Sequence, residues 1–130
     1  MIRPLLHALA LLLTIAPAIA WADGDPVRGE RVFQYCYACH SVQAGETNLP
    51  GPNLRGIVGR PIAAREDFAY SPAMRAFAEH EGRWSEALLD RYLAAPYKLV
   101  PKTSMSFPGV PEERERADLI AYLRTMSEGQ

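Results

Sequence analysis

The stretch from residue 41 to residue 70 constrains the fold of this chain more than any other feature. Its apolar positions repeat with neither the period of a strand nor that of a helix. It contains Gly45, Pro50, Gly51, Pro52, Gly56, Gly59 and Pro61. A second irregular stretch, residues 96–111, contains four prolines. Loops of this length are unusual in a compact domain, so they need an extended surface on which to pack.

Helices are predicted on either side of these loops. The predicted segments are Pro26 to about Tyr35 with Asp25 as N-cap, Ser71-Pro72 to Gly82, Ser85 to Pro96, and a last helix that begins at Pro111. The fold class is therefore all-α, with no convincing strand. The helices alone offer little apolar surface, and a large bound cofactor would supply what the loops need.

Length and composition limit the classes of protein that the chain can belong to. Its 130 residues are 48% apolar and 22% charged, which excludes disorder, a collagen-like repeat and a polytopic membrane protein. Fourteen basic against fifteen acidic residues give a net charge of −1, so no nucleic-acid-binding surface is expected. The length allows one domain.

The N-terminal segment has the pattern of a secretory signal peptide over residues 1–22. Arg3 gives a positive start, an apolar run follows, and small residues end the segment with an A-x-A pattern. An uncleaved membrane anchor is the alternative, although the apolar run is shorter than the roughly 20 residues of a spanning helix. We therefore expect a protein that is periplasmic or otherwise exported, whose domain comprises residues 23–130, and we do not expect the mature chain to be embedded in the membrane.

The segment Cys36-Tyr37-Ala38-Cys39-His40 is the attachment motif of c-type haem. Two thiols on one helical turn can reach both vinyl groups of one porphyrin, and His40 then lies under the iron as its proximal ligand. A thioredoxin-like motif would need a βαβ setting, and a zinc site would need four ligands. A disulfide across two residues would be strained. The motif therefore predicts one covalent haem c, bound through Cys36 and Cys39.

Several short blocks follow this motif in an order that resembles the class I c-type cytochromes, the mitochondrial protein and its soluble bacterial relatives. They are Gly51-Pro52-Asn53-Leu54, Gly59-Arg60, Phe68-Ala69-Tyr70, Trp84, Tyr92-Leu93, Pro101-Lys102-Thr103-Ser104-Met105 and Asp118-Leu119-Ile120-Ala121-Tyr122-Leu123. The resemblance implies the small single-haem cytochrome c fold, with helices wrapped around the haem. It also implies one-electron transfer, and not an enzyme.

The second iron ligand is to be chosen among four candidates. Met126 is interpreted as core on the last helix, Met74 as core in the first turn of another, and His80 as a solvated residue. Met105 sits in a loop between prolines, and its distance from His40 along the chain fits the family. We therefore expect Met105 to be the ligand. Methionine–histidine ligation raises the potential of cytochromes c.

The resemblance also implies the groups around the haem. The carbonyl of Pro52 would accept a hydrogen bond from His40. The donors to the haem propionates would be Arg60, Tyr70, Trp84 and Thr103, and Tyr92 would contact the sulfur of Met105. Two departures are visible: the family usually has asparagine where Met74 falls, and residues 75–83 are about three residues longer than in the mitochondrial protein.

The expected partners are redox protein complexes. The donor would be a complex such as a quinol–cytochrome c reductase, and the acceptor a terminal oxidase or reaction centre, with the chain itself a monomer. A haem peroxidase, a gas sensor or a subunit of a larger complex is the alternative. The family's ring of lysines is largely replaced: its positions here are Tyr35, Tyr97, Ser104, Pro111 and Glu112, with Lys98 retained and Lys102 nearby.

Overall fold

The computed structural model describes residues 23–127 and contains five helices in this part of the chain. They are α1 (Pro26–Phe33), α2 (Pro72–Glu81), α3 (Glu86–Ala94), α4 (Pro96–Leu99) and α5 (Glu113–Thr125). No strand forms within residues 23–127, where a single antiparallel bridge joins Pro61 to Arg83. The all-α prediction is confirmed. The predicted signal peptide, residues 1–22, lies outside the described residues.

The predicted helix starts are mostly right, because the capping residues were recognisable. The carboxylate of Asp25 accepts hydrogen bonds from the first turn of α1, and the hydroxyls of Ser71 and Ser85 cap α2 and α3. The predicted end of α1 at about Tyr35 was two residues late, since α1 ends at Phe33. None of the helices within residues 23–127 is long and apolar enough to cross a membrane.

Two predictions about the second irregular stretch were wrong. Residues 96–99 form the short helix α4, for which Pro96 supplies the first position. The last helix begins at Glu113 and not at Pro111. The carbonyls of Val110 and Pro111 accept hydrogen bonds from Arg116 Nη1, 3.0 and 2.7 Å away, instead of from backbone N–H groups of the helix. Glu112 therefore stays extended, with a φ of −74° and a ψ of 118°.

Helices α1 and α5 cross at close range and anchor the core. A Cβ atom at Gly29 would lie 1.9 Å from the carbonyl oxygen of Asp118, so only glycine permits this approach. The fully buried ring of Phe33 contacts Tyr122 with 5.5 Å between centroids. Leu119 is buried in the same core. Close backbone approach and aromatic packing therefore hold the two helices together at this crossing.

An ion-pair cluster closes one end of this crossing. Arg28 donates from Nε and Nη2 to the two carboxylate oxygens of Asp118, over 2.7 and 2.9 Å. The backbone N–H of Asp25 donates to Asp118 over 2.6 Å. The Arg28 side chain, the largest cause, holds the pKa of Asp118 below its usual value. The buried carboxylate thus ties the start of α1 to α5.

Polar side chains, rather than regular structure, hold the loop of residues 41–55. Asn53 is buried, and its Nδ2 donates to the carbonyls of Gln43 and Glu46 over 2.7 and 2.9 Å. Its Oδ1 accepts from the N–H of Arg55, and the N–H of Leu54 donates to Ser41 O over 2.8 Å. One amide therefore satisfies several backbone groups that have no ladder to join.

Candidate functional site

The segment Cys36–His40 continues beyond α1 as one further turn. The N–H groups of Cys39 and His40 donate to the carbonyl of Cys36 over 3.1 and 2.9 Å. The two thiols are free, with Cys36 half-buried and Cys39 exposed. One turn therefore carries both sulfur atoms and the imidazole, as the motif requires.

The environment of Cys36 argues against a redox-active cysteine pair. Burial, the larger cause, and the neighbouring Cys39 raise the pKa of the Cys36 thiol to about 11. Redox-active cysteines of C-x-x-C motifs have a lowered pKa, because their thiolate is the reacting species. No group of three or more potential metal-binding side chains occurs among residues 23–127. An uncharged thioether sulfur is well suited to the half-buried position of Cys36.

The His40 imidazole is fixed in one orientation and one tautomer. Its Nδ1 lies 2.7 Å from the carbonyl oxygen of Pro52. Since a carbonyl can only accept, Nδ1 must carry the proton, which leaves the lone pair of Nε2 available to a metal. Burial is the main cause that lowers the pKa of His40, and the charge of Arg60 lowers it further, against the opposing effect of the Pro52 hydrogen bond. The neutral form is the one that binds a metal.

Gly51 forms a cradle for this imidazole. A Cβ atom at residue 51 would lie 2.4 Å from Cε1 and 2.7 Å from Nδ1 of His40. The N–H of Gly51 also donates to the carbonyl of Cys39 over 2.8 Å, which binds the loop to the cysteine turn. Gly51 and Pro52 therefore hold the ring from adjacent positions, one by lacking a side chain and the other through its carbonyl.

Met105 lies in a loop whose backbone is fixed on both sides. Its N–H donates to Thr103 Oγ1 over 3.3 Å, and its carbonyl accepts from the N–H of Phe107 over 3.1 Å. Lys102 adopts a left-handed conformation with a φ of 64°, which turns the chain just before Thr103. The Met105 side chain is partly buried and packs on the core.

The other candidate ligands pack on the core or lie at the surface as expected, although Met126 follows the last residue of α5 instead of belonging to the helix. Met74 and Met126 are partly buried and pack against the core, in keeping with their interpretation as core residues. His80 is exposed on α2.

Three of the predicted haem contacts form one connected group. The rings of Trp84 and Tyr92 are 4.9 Å apart, and both residues are buried. Burial, the larger effect, raises the pKa of Tyr92, and the nearby side chain of Thr103 opposes this rise. Thr103 in turn holds the backbone of Met105. A series of contacts thus leads from Trp84 to the Met105 loop.

The side chains of Arg60 and Tyr70, the other two predicted propionate donors, make their observed contacts with residues outside the Trp84–Tyr92 group. The backbone of Arg60 joins this group, since the N–H of Trp84 donates to its carbonyl over 3.0 Å. Its Nη1 donates to the carbonyls of Asn53 and Arg55, both 3.1 Å away. Tyr70 packs its ring on Phe68 at 5.0 Å, apart from the Trp84–Tyr92 group.

The comparisons with known proteins identify the family. The family model described as "Cytochrome c" matches residues 26–127. The chain belongs to the cytochrome c family. It is 44% identical over 101 residues to cytochrome c2 of Rhodoblastus acidophilus, covering 77% of this chain and 91% of that protein. It is also 45% identical over 108 residues to "Cytochrome c-type cyt cy" of Rhodobacter capsulatus, covering 82% of this chain but only 52% of that longer protein.

A solved structure agrees with this assignment. The structure of cytochrome c2 from Rhodospirillum centenum matches with a TM-score of 0.74 and 35% identity, covering 80% of this chain and 99% of that one. The small cytochrome c fold, predicted from the sequence, is confirmed. Members of the family bind one covalent haem c through a pair of cysteines, here Cys36 and Cys39, and act as electron-transfer proteins rather than enzymes.

Three residues that organise the loop of residues 41–55 or the crossing of α1 and α5 were missed by the sequence interpretation. Asn53 was quoted only as part of a block, although its side chain shapes the loop that carries Pro52. Asp118 and Arg28 were not recognised as a pair. A lone acidic residue within the apolar run of α5 was the available signal, since a buried carboxylate needs a partner. No comparable signal marked Asn53.

Proposed function

We propose that this protein is an exported one-electron carrier in which His40 and Met105 bind the haem iron. When bound, haem c supplies the one-electron couple between ferrous and ferric iron. The hydrogen bond from His40 Nδ1 to Pro52, 2.7 Å long, is the observation that carries the proposal. It places the proton on Nδ1 and directs Nε2 away from Pro52, which is what a proximal ligand requires.

Met105 is proposed as the second ligand because its loop combines a fixed backbone with a partly buried thioether. Thr103 and Phe107 hold the main chain on either side of it. A thioether is a soft ligand that favours the ferrous state and so raises the potential. Tyr92 reaches the same loop through Thr103, which supports its proposed contact with the sulfur.

The proposed propionate donors have unequal support. Trp84 and Thr103 belong to the connected group beside Met105, and the backbone of Arg60 joins it. The Nη1 of Arg60 donates to two loop carbonyls, so the proposed contact of its guanidinium with a propionate rests on the resemblance. Tyr70 is proposed from the resemblance alone, since its observed contacts are with Phe68 and Arg75.

The proposed setting is a transfer chain in an exported compartment. Residues 1–22 are proposed to be a cleaved signal peptide, with residues 23–130 as the mature monomeric domain. The coarse role of shuttling electrons between redox complexes follows from the family. We propose a donor such as a quinol–cytochrome c reductase and an acceptor such as a terminal oxidase or reaction centre.

The test compares reduced spectra of the holoprotein with and without carbon monoxide. An iron bound by both His40 and Met105 resists the added ligand, and its oxidised form shows the methionine–iron charge-transfer band. In Met105→Ala we expect carbon monoxide to bind and the reduction potential to fall. Met74→Leu is the matched control and should leave both properties unchanged. Rapid binding of carbon monoxide by the wild type would instead indicate a gas-binding protein or peroxidase.

A further inference from the structure

A small cleft lies between the residue that precedes Cys36 and the loop that follows Met105. Tyr35, residues 107–111 and Glu115 line it, and its volume is about 270 Å³. Pockets for small-molecule ligands usually measure roughly 300–1,000 Å³, so this cleft is better suited to a single side chain. Tyr35 is 65% exposed, which leaves its ring open to a partner.

The floor of the cleft is rigid. The N–H of Val110 donates to the carbonyl of Leu93 over 2.7 Å, and Arg116 donates to the carbonyls of Val110 and Pro111. Gly109 has a φ of 106°, and a Cβ atom there would lie 2.4 Å from the carbonyl oxygen of Ala94. The cleft is therefore preformed, so a partner side chain could enter it without the entropic cost of ordering a loop.

The charge of the cleft is acidic. Within residues 23–127 the half-buried carboxylate of Glu115 makes no hydrogen bond or ion pair, and Glu112 beside the cleft is exposed. The neighbouring Arg116 is already bound to Asp90, with 2.7 Å between Nε and Oδ1. The adjacent Arg114 is exposed on the first turn of α5.

Two aromatic rings and one available carboxylate suit a guanidinium group. A guanidinium stacks on aromatic faces and pairs with carboxylates through its planar fork, whereas an ammonium group is more strongly hydrated and does not stack in this way. Arginine is also enriched among the residues that dominate protein interfaces. The chemistry of the cleft therefore favours arginine over lysine and over an uncharged side chain.

We propose that this cleft receives an arginine side chain of the redox partner. The inference rests on the proposed function, because the partner must approach between the cysteine turn and the Met105 loop to exchange an electron. Tyr35 directly precedes Cys36, and Phe107 is bonded through its N–H to the carbonyl of Met105. The partner's surface that faces this cleft is therefore basic. A ring of lysines, as the family has, would instead imply a partner with an acidic surface.

The test is an NMR titration of the reduced holoprotein with the blocked peptide Gly-Arg-Gly. Peptides with lysine or citrulline in place of arginine serve as ligand controls. We expect saturable shifts confined to residue 35, residues 107–111 and residue 115, with weaker binding of the lysine peptide and none of citrulline. Glu115→Gln should weaken binding about fivefold, as expected for loss of one partly exposed ion pair. Glu79→Gln, which removes the same charge from an exposed position on α2, should leave it unchanged.

Three results would overturn the proposal: no saturable shift, equal binding of the citrulline peptide, or equal loss in Glu79→Gln and Glu115→Gln. An unchanged haem spectrum in both variants shows that each is folded. A failed titration with normal redox spectra would refute the arginine site alone, whereas binding of carbon monoxide by the wild type would refute the carrier function.

Discussion

The crossing of α1 and α5 and the loop of residues 41–55 are held by different physical means. The crossing combines close backbone approach at Gly29, a buried aromatic contact and the Arg28–Asp118 ion pair. In the loop, the buried side chain of Asn53 satisfies scattered backbone groups, and Gly51 and Pro52 hold His40. The crossing is therefore a packed interface of the chain with itself, whereas the loop serves to position one imidazole.

Removing the haem attachment should produce the largest difference in stability between the loop and the crossing. We expect Cys36→Ala combined with Cys39→Ala to abolish stable holoprotein, because the loops then lose the surface on which they pack. Haem absorbance and amide hydrogen exchange measure this, with protection lost first in residues 41–70. Ala38→Ser, at an exposed position of the same turn, is the control. A folded apoprotein with protected loops would contradict the argument that the loops depend on the cofactor.

Adding one methyl group to each region should have different consequences. Gly29→Ala places a Cβ atom 1.9 Å from a backbone oxygen of α5, and overpacking of this kind lowers the free energy of unfolding by about 3 kcal/mol. Gly51→Ala presses instead on the His40 ring, 2.4 Å from Cε1. We expect it to change the reduction potential and the haem spectrum.

Denaturant unfolding and redox titration of both variants test this contrast. Gly29→Ala should unfold at lower denaturant concentration with an unchanged potential. If both variants shifted the potential alike, the crossing and the loop would not be the independent regions described above.

The ion pair at the crossing should give a pH-dependent contribution to stability. Because the pKa of Asp118 is lowered in the folded state, its contribution is present above the unfolded value of about 3.9 and is lost as the pH falls through the folded pKa. Asp118→Asn should reduce the free energy of unfolding by about 1–2 kcal/mol at pH 7.

Urea unfolding of wild type and Asp118→Asn across the pH range checks this prediction. The difference between them should shrink in acid. Asp67→Asn removes the carboxylate of a partly exposed pair with Arg65, which lies outside both regions, and should have a smaller effect at every pH. A difference that stayed constant below pH 3 would show that the charge of Asp118 does not contribute.

The sequence predicted those parts of the molecule that leave a local signature. Asp25, Ser71 and Ser85 marked helix starts through their capping oxygen atoms, and the cysteine motif indicated the cofactor. The end of α1 and the start of α5 were each misplaced by two residues. For α5 the reason is that Arg116 contacts the carbonyls of Val110 and Pro111, which no local sequence pattern indicates. The role of Asn53 was equally hidden, since its partners are backbone carbonyls that lie together only in the folded loop.

The smallest expected effect is that of salt on the rate of electron transfer, which depends on the exposed surface around Tyr35, Tyr97 and Lys98. Tyr35 and Tyr97 are 65% and 54% exposed at positions where the family has lysines, and Lys98 is the one lysine retained there. Charge steering raises association rates about 10- to 1,000-fold and falls steeply with salt, so a surface with few charges loses little when salt is added. We expect the rate of electron transfer with the native partner to fall less than about tenfold from low to high salt. Stopped-flow measurements over that range decide the matter, with Tyr35→Lys as a variant that should weaken binding, because it places a positive charge beside the cleft proposed for the partner's arginine. A steep fall in the wild type would show that charges elsewhere on the surface steer the partner.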